Sequence, residues 1–176
     1  MTTFSLLSPS RRSAKLLFLL AFAACTSMML IALYMQYVME LAPCALCITQ
    51  RIFVIAIGLV ALIACIHGPE RFGIRLYGST CIVFAIIGGG FSARHLWLQS
   101  LPEDLAPACG PSLGYLLETF PFWQALSVLL QGDGNCAETV WTFLGLSIPG
   151  WTLVAFVGLG IYFLWLVIMS NKIKPE

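Results

Sequence analysis

Four long apolar runs constrain this chain more than any other feature of its sequence. A helix needs about 20 mostly apolar residues to cross the hydrocarbon core of a bilayer. The first run covers residues 16–38 and carries only Thr26, Ser27 and Gln36 as polar members. The second covers about 47–66, the third about 74–93 and the fourth about 151–169. Composition agrees: 60% of the 176 residues are hydrophobic and 10% charged, where a soluble domain carries about a quarter charged. The expected fold is an all-α membrane protein, a four-transmembrane-helix bundle forming one domain over 1–176. Its outer loops are expected at about 39–46 and 95–149, the longer one carrying short interfacial helices.

Basic residues orient the bundle. Arg11, Arg12 and Lys15 precede the first run, Arg71 and Arg75 lie between the second and third, and Lys172 and Lys174 follow the fourth. Seven of the nine basic residues therefore share one side, which the positive-inside rule makes cytoplasmic. Both termini are expected inside, with the 39–46 and 95–149 loops outside. Arg11, Arg12, Lys15 and the Phe22-Ala23-Ala24-Cys25 stretch faintly resemble a processed leader. The apolar run exceeds the 7–15 residues of a signal core, so a retained span is expected. Nothing in the charge pattern suits nucleic acid.

The seven cysteines sort by depth. Cys25, Cys65 and Cys81 fall within the apolar runs, where a free cysteine acts as a small packing residue. Cys44, Cys47, Cys109 and Cys136 fall on the outer side, and four cysteines allow three pairings. Cys44 and Cys47 form a Cys-x-x-Cys at the edge of the second run, placed to meet both a soluble and a lipid-dissolved partner. A structural zinc site would need two more ligands at matching spacing. The remaining cysteines offer no second Cys-x-x-Cys, so redox chemistry is expected and a metal is not.

Pro43 favours an extended backbone, after which the cysteines open the second helix. Unpaired N–H groups and the positive dipole end stabilise a thiolate in a first helical turn. Arg51 lies one turn beyond Cys47 on the same face. It either snorkels to the headgroups or holds the negative charge developing on an electron acceptor. His95, the one outer histidine, is a candidate hydrogen-bond donor or proton source beside it. His67 is expected to be structural. In the long loop, Pro102, Pro107, Pro111 and Pro121 punctuate turns, and Gly132-Asp133-Gly134-Asn135 approaches Cys136 as a turn or hinge. Trp141, Phe143, Leu144, Leu146 and Ile148 form an amphipathic stretch, expected on the outer leaflet or as a short helix on the span tops.

The segment Pro43-Cys44-Ala45-Leu46-Cys47-Ile48-Thr49-Gln50-Arg51 resembles the Pro-Cys-x-Leu-Cys-x-x-x-Arg signature of the bacterial disulfide bond formation protein B (DsbB) family. Arg94-His95-Leu96-Trp97-Leu98-Gln99, Cys109-Gly110-Pro111, Asn135-Cys136-Ala137 and the stretch from Trp141 to Pro149 match that family in order. The resemblance covers nearly the whole chain. It implies a thiol:quinone oxidoreductase of the bacterial inner membrane that reoxidises a periplasmic DsbA-like oxidase. It also implies disulfides Cys44–Cys47 and Cys109–Cys136, with the partner attacking Cys109 and the freed Cys136 attacking Cys44. Cys47 would pass electrons to ubiquinone or menaquinone from the membrane quinone pool, flanked by Arg51 and His95.

Two other readings differ in specific residues. Enzymes of the vitamin K epoxide reductase type carry their loop pair before the Cys-x-x-Cys, the reverse of the order here. A non-enzymatic scaffold with a stapled loop leaves Arg51 and the Cys-x-x-Cys unexplained.

Overall fold

The computed structural model describes residues 11–41, 43–101, 121, 123 and 141–170. Four helices account for nearly all of them: α1 (Arg11–Tyr37), α2 (Ala45–His67), α3 (Arg71–Gln99) and α4 (Ile148–Ser170). Each is long and apolar enough to cross a membrane, so the four-span expectation is met. Cys109, Cys136, the 132–135 turn and the short interfacial helices expected in the long loop lie outside the described residues.

Every helix outruns its apolar run, α3 most of all. The apolar run ends near residue 93, yet the helix continues to Gln99 and takes His95 with it. Loss of hydropathy does not end a helix whose polar side chains find partners within the bundle. The stops have local causes. Gly68 caps α2 in the left-handed region (φ 62°) and donates its N–H to the Ala64 carbonyl at 2.9 Å. Glycine tolerates that geometry, and Pro69 follows it.

Neighbouring helices pack in sequence, α1 on α2, α2 on α3 and α3 on α4. Tyr162 of α4 closes the ring by donating its hydroxyl hydrogen to the Leu17 carbonyl of α1 at 2.8 Å. The Phe18 and Phe163 rings meet beside it, 6.1 Å between centroids. The core holds Phe18, Ile57, Phe156 and Phe163. Because lipid tails are as apolar as these side chains, helices in a membrane associate by close packing at small residues. A Cβ on Gly88 would sit 2.4 Å from Phe156 Cζ, and one on Gly78 2.6 Å from Val167 Cγ2. Any side chain at Gly88 would therefore push α3 and α4 apart. Cys25 and Cys81 are buried packing residues, as expected. His67 is within hydrogen-bond reach of the Tyr77 hydroxyl at 2.9 Å, a structural role.

The outward surface is apolar too, with Leu30, Ile66, Phe72 and Ile86 largely exposed. Such a surface suits lipid and not water. The backbone hydrogen bonds stay inside each helix, as a lipid environment requires.

The 141–148 stretch is not a helix lying on the bundle. It forms a hairpin of β1 (Thr142–Phe143) and β2 (Leu146–Ser147), paired antiparallel, and leads into α4. Leu144 (φ 52°) and Gly145 (φ 80°) make its two-residue turn. Two positive φ values in succession match the hairpin turn whose twist suits flanking strands. Aromatic packing overrides the helical spacing of the sequence. Trp141 stacks on Phe143, and Trp151 donates its indole N–H to the Phe143 carbonyl at 3.0 Å. The Ser147 hydroxyl donates to Gln99 Oε1 at 2.7 Å, tying the hairpin to α3.

Candidate active site

The extended backbone at Cys44 (φ −72°, ψ 168°) makes it the N-cap of α2, so the helix opens two residues earlier than the apolar run. Its sulfur accepts the Cys47 backbone N–H at 3.4 Å, a cap that serine or aspartate usually provides. One helical turn then brings the two sulfurs to 3.1 Å. Leu46 between them is fully buried against Leu98 of α3. That contact fixes the start of α2 against the end of α3.

The longer α3 is what completes the site. His95 is only 2% exposed and edges onto both sulfurs. Its Nε2 is 3.8 Å from Cys44 Sγ and its Nδ1 4.0 Å from Cys47 Sγ. The buried Gln50 amide lies 3.3 Å from His95 Nδ1 and fixes the ring. Rotating that amide lets it accept from Nδ1–H or donate to a bare Nδ1, so it supports either tautomer.

Arg51 reaches across to α1. It donates through Nη1 to Gln36 Oε1 and through Nη2 to the Ala32 carbonyl at 3.3 Å, both on α1. An arginine one turn inside a span carries an insertion cost, up to about 2.5–3.5 kcal/mol at a helix centre. Two acceptors on the neighbouring helix offset part of it and hold the guanidinium in place.

Cys47, Gln50, Arg51 and His95 all line one cavity of about 560 Å³. That volume falls in the range of small-molecule sites. The contacts between α1 and α4 at Leu17, Phe18, Tyr162 and Phe163 lie at one end of the pair. Toward the other end the cavity separates them, walled by Met28 and Met35 of α1, Ala155 of α4 and Phe143 of the hairpin. Ile31 and Trp151 line it and are 59% and 37% exposed, so its mouth faces the outside of the bundle. A flat, apolar molecule with polar oxygens could enter from the bilayer side and reach the four polar groups.

The structure thus brings together four of the six residues singled out in the sequence: Cys44, Cys47, Arg51 and His95. Cys109 and Cys136 lie outside the described residues. Sequence reasoning missed Gln50 and Gln36. The signal for Gln50 was present, since a residue three after Cys47 shares its helix face. Gln36 pairs across helices, and no spacing rule reaches it.

The chain matches the model of one protein family, described as disulfide bond formation protein DsbB, over residues 14–166. A protein of Saccharophagus degradans named disulfide bond formation protein B is 57% identical over 147 residues, which cover 84% of this chain and 89% of the relative. The protein of that name from Nitrosococcus oceani is 50% identical over 88% of this chain and 92% of its own length. Another, from an Azoarcus species, is 40% identical over 89% of this chain and 93% of its own length.

Proposed function

The chain belongs to the DsbB family of disulfide bond formation proteins, and from that premise we propose how its residues perform the family's reaction. It is a multi-pass protein of the bacterial inner membrane. It is a disulfide-generating oxidoreductase that reoxidises a DsbA-type dithiol oxidase. The observation that carries the residue assignment is the meeting of two cysteines, His95 and Arg51 at one cavity that opens on the outside of the bundle.

Electrons enter by thiol–disulfide exchange. A thiolate of the reduced partner attacks Cys109 of the Cys109–Cys136 disulfide, and Cys136 leaves as a thiolate. The partner's second thiolate displaces Cys109 and departs oxidised. Cys136 then attacks Cys44 of the Cys44–Cys47 disulfide, and Cys47 leaves. Cys109 resolves the Cys136–Cys44 bond, restoring the loop disulfide and leaving Cys44 and Cys47 reduced. Each step exchanges one S–S bond for another, so the two electrons come to rest on the second pair.

At that pair, the first turn of α2 stabilises the Cys47 thiolate. Arg51, fixed by Gln36 and Ala32, presents positive charge to the cavity without having to reorganise. His95 holds a proton at Nε2, the nitrogen beside Cys44 Sγ, while Gln50 steadies Nδ1. The apolar walls keep water from these charges and so strengthen them. A membrane quinone, ubiquinone or menaquinone, supplies the two-electron sink that closes Cys44 and Cys47 to a disulfide.

Purified protein should oxidise a reduced DsbA-type partner only when a quinone analogue is added. Oxidation at the same rate without quinone, under anaerobic conditions, would remove the quinone from the account. Both termini are placed in the cytoplasm and the four reactive cysteines in the periplasm, from the distribution of basic residues. An introduced cysteine at Glu103 should react with an impermeant thiol reagent added to intact spheroplasts, and one at Lys174 should not. The opposite pattern would invert the topology.

A further inference from the structure

At the outer end of the bundle, residues of the electron path also form a set of metal-ligating donors. Cys44, Cys47 and His95 offer two sulfurs and an imidazole nitrogen, all within 4.8 Å of one another. By sequence the Cys-x-x-Cys is half a zinc site, lacking further ligands at nearby spacing. The fold supplies the third from residue 95, on a different helix. We propose that the reduced Cys44/Cys47 pair, with His95, is a redox-gated site for a thiophilic divalent cation such as Zn²⁺, and that occupancy halts the enzyme.

Tetrahedral zinc with S and N ligands places its donors about 3.5–3.8 Å apart. The observed separations are 3.1 Å between the sulfurs and 3.8 Å from Cys44 Sγ to His95 Nε2. Small side-chain rotations close those differences. The Gln50 amide faces His95 Nδ1 through its nitrogen at 3.3 Å; turned over, its Oε1 would accept Nδ1–H as the carbonyl partner of a metal-bound histidine does. Such a partner fixes the tautomer that leaves the other nitrogen for the metal. Three protein ligands leave the fourth position to water, and the site borders the 560 Å³ cavity that could supply it.

The chemistry gates itself. Binding forms two metal–sulfur bonds and releases two thiol protons, with no electron transferred. A disulfide presents no thiolate, so only the reduced enzyme can be captured. Captured sulfurs can neither exchange with Cys136 nor donate electrons. Excess zinc would therefore stall the relay in its reduced state until a chelator freed it. The inference rests on the proposed cycling of Cys44 and Cys47 between dithiol and disulfide.

Cobalt is the probe, because Zn²⁺ is spectroscopically silent and Co²⁺ reports thiolate ligation by a charge-transfer band. The protein carries Cys109→Ser and Cys136→Ser, so that loop thiols do not contribute. It is reduced chemically, freed of reductant, and titrated with Co²⁺ in detergent without quinone or partner. One equivalent should produce the band, and Zn²⁺ should displace it. The disulfide form and a further Cys47→Ser variant should show none. Gln50→Leu should weaken binding by about 10–100-fold, the usual loss when a ligand's hydrogen-bond partner is removed, and His95→Ala by more. Should His95→Ala fail to fold, alkylation decides the matter: Zn²⁺ should protect Cys44 and Cys47 from a maleimide until chelator is added. No band, a band equal in the oxidised protein, or alkylation unaffected by Zn²⁺ would overturn the proposal. The readout uses neither quinone nor turnover, so its failure would leave the electron path standing.

Discussion

Replacing Cys136 with Ser should stop turnover and leave the protein covalently joined to its soluble partner through Cys109. Without Cys136 the loop cannot close its own disulfide, so the Cys109 thiolate attacks the disulfide of the oxidised partner. That joins the two chains as the partner's second sulfur leaves as a thiolate, and the onward relay to Cys44 has lost its nucleophile. Serine's hydroxyl is far too weak a nucleophile at neutral pH to replace a thiolate. Turnover should fall below detection, because the thiol proposed to carry electrons from Cys109 to the Cys44–Cys47 bond is gone. The measurement is non-reducing electrophoresis of membranes from cells expressing the variant, followed by peptide mass mapping of the complex. A mixed disulfide through Cys44, with Cys109 unmodified, would reverse the proposed relay order.

Arg51→Lys should lower quinone reduction at least tenfold while leaving expression and membrane insertion near normal. Lysine retains the charge and reaches the headgroups equally well, so a residue that merely snorkels would tolerate the exchange. Arg51 is held differently, with separate guanidinium nitrogens on Gln36 Oε1 and the Ala32 carbonyl. An ammonium on a flexible stem cannot reproduce that fixed fork. Losing one preorganised electrostatic contact typically costs about 10²–10³ in rate, and the retained charge of lysine softens that loss. The assay is quinone reduction by the detergent-purified variant with reduced partner in excess. Wild-type kinetics would make Arg51 an anchor and nothing more.

The spans were legible because hydropathy alone separates lipid-facing helices from water-facing loops. The Cys-x-x-Cys and Arg51 were legible because Cys44, Cys47 and Arg51 follow one another at single-turn spacing. What the sequence hid came from contacts between distant residues. Polar residues after position 93 masked the last turns of α3, although His95 there is as buried as the apolar core. The 141–148 stretch has spacing compatible with a helix, and the packing of Trp141, Phe143 and Trp151, with the turn at Leu144 and Gly145, selects a hairpin. Gln36 carries no pattern of its own, and its role emerges from α1 lying against α2. Gln50 could have been found by reading the Cys47 helix face at three residues as well as at four.

The central claim is that Cys44 and Cys47 deliver two electrons to an acceptor in the adjoining cavity. A single-turnover experiment tests it most directly. Protein carrying Cys109→Ser and Cys136→Ser is reduced, freed of reductant and mixed anaerobically with one equivalent of a quinone analogue. The account predicts stoichiometric quinol and, by peptide mass mapping, a Cys44–Cys47 disulfide. It predicts neither product when Cys47→Ser is added. Quinol formed while Cys44 and Cys47 remain thiols, or formed equally without Cys47, would contradict it.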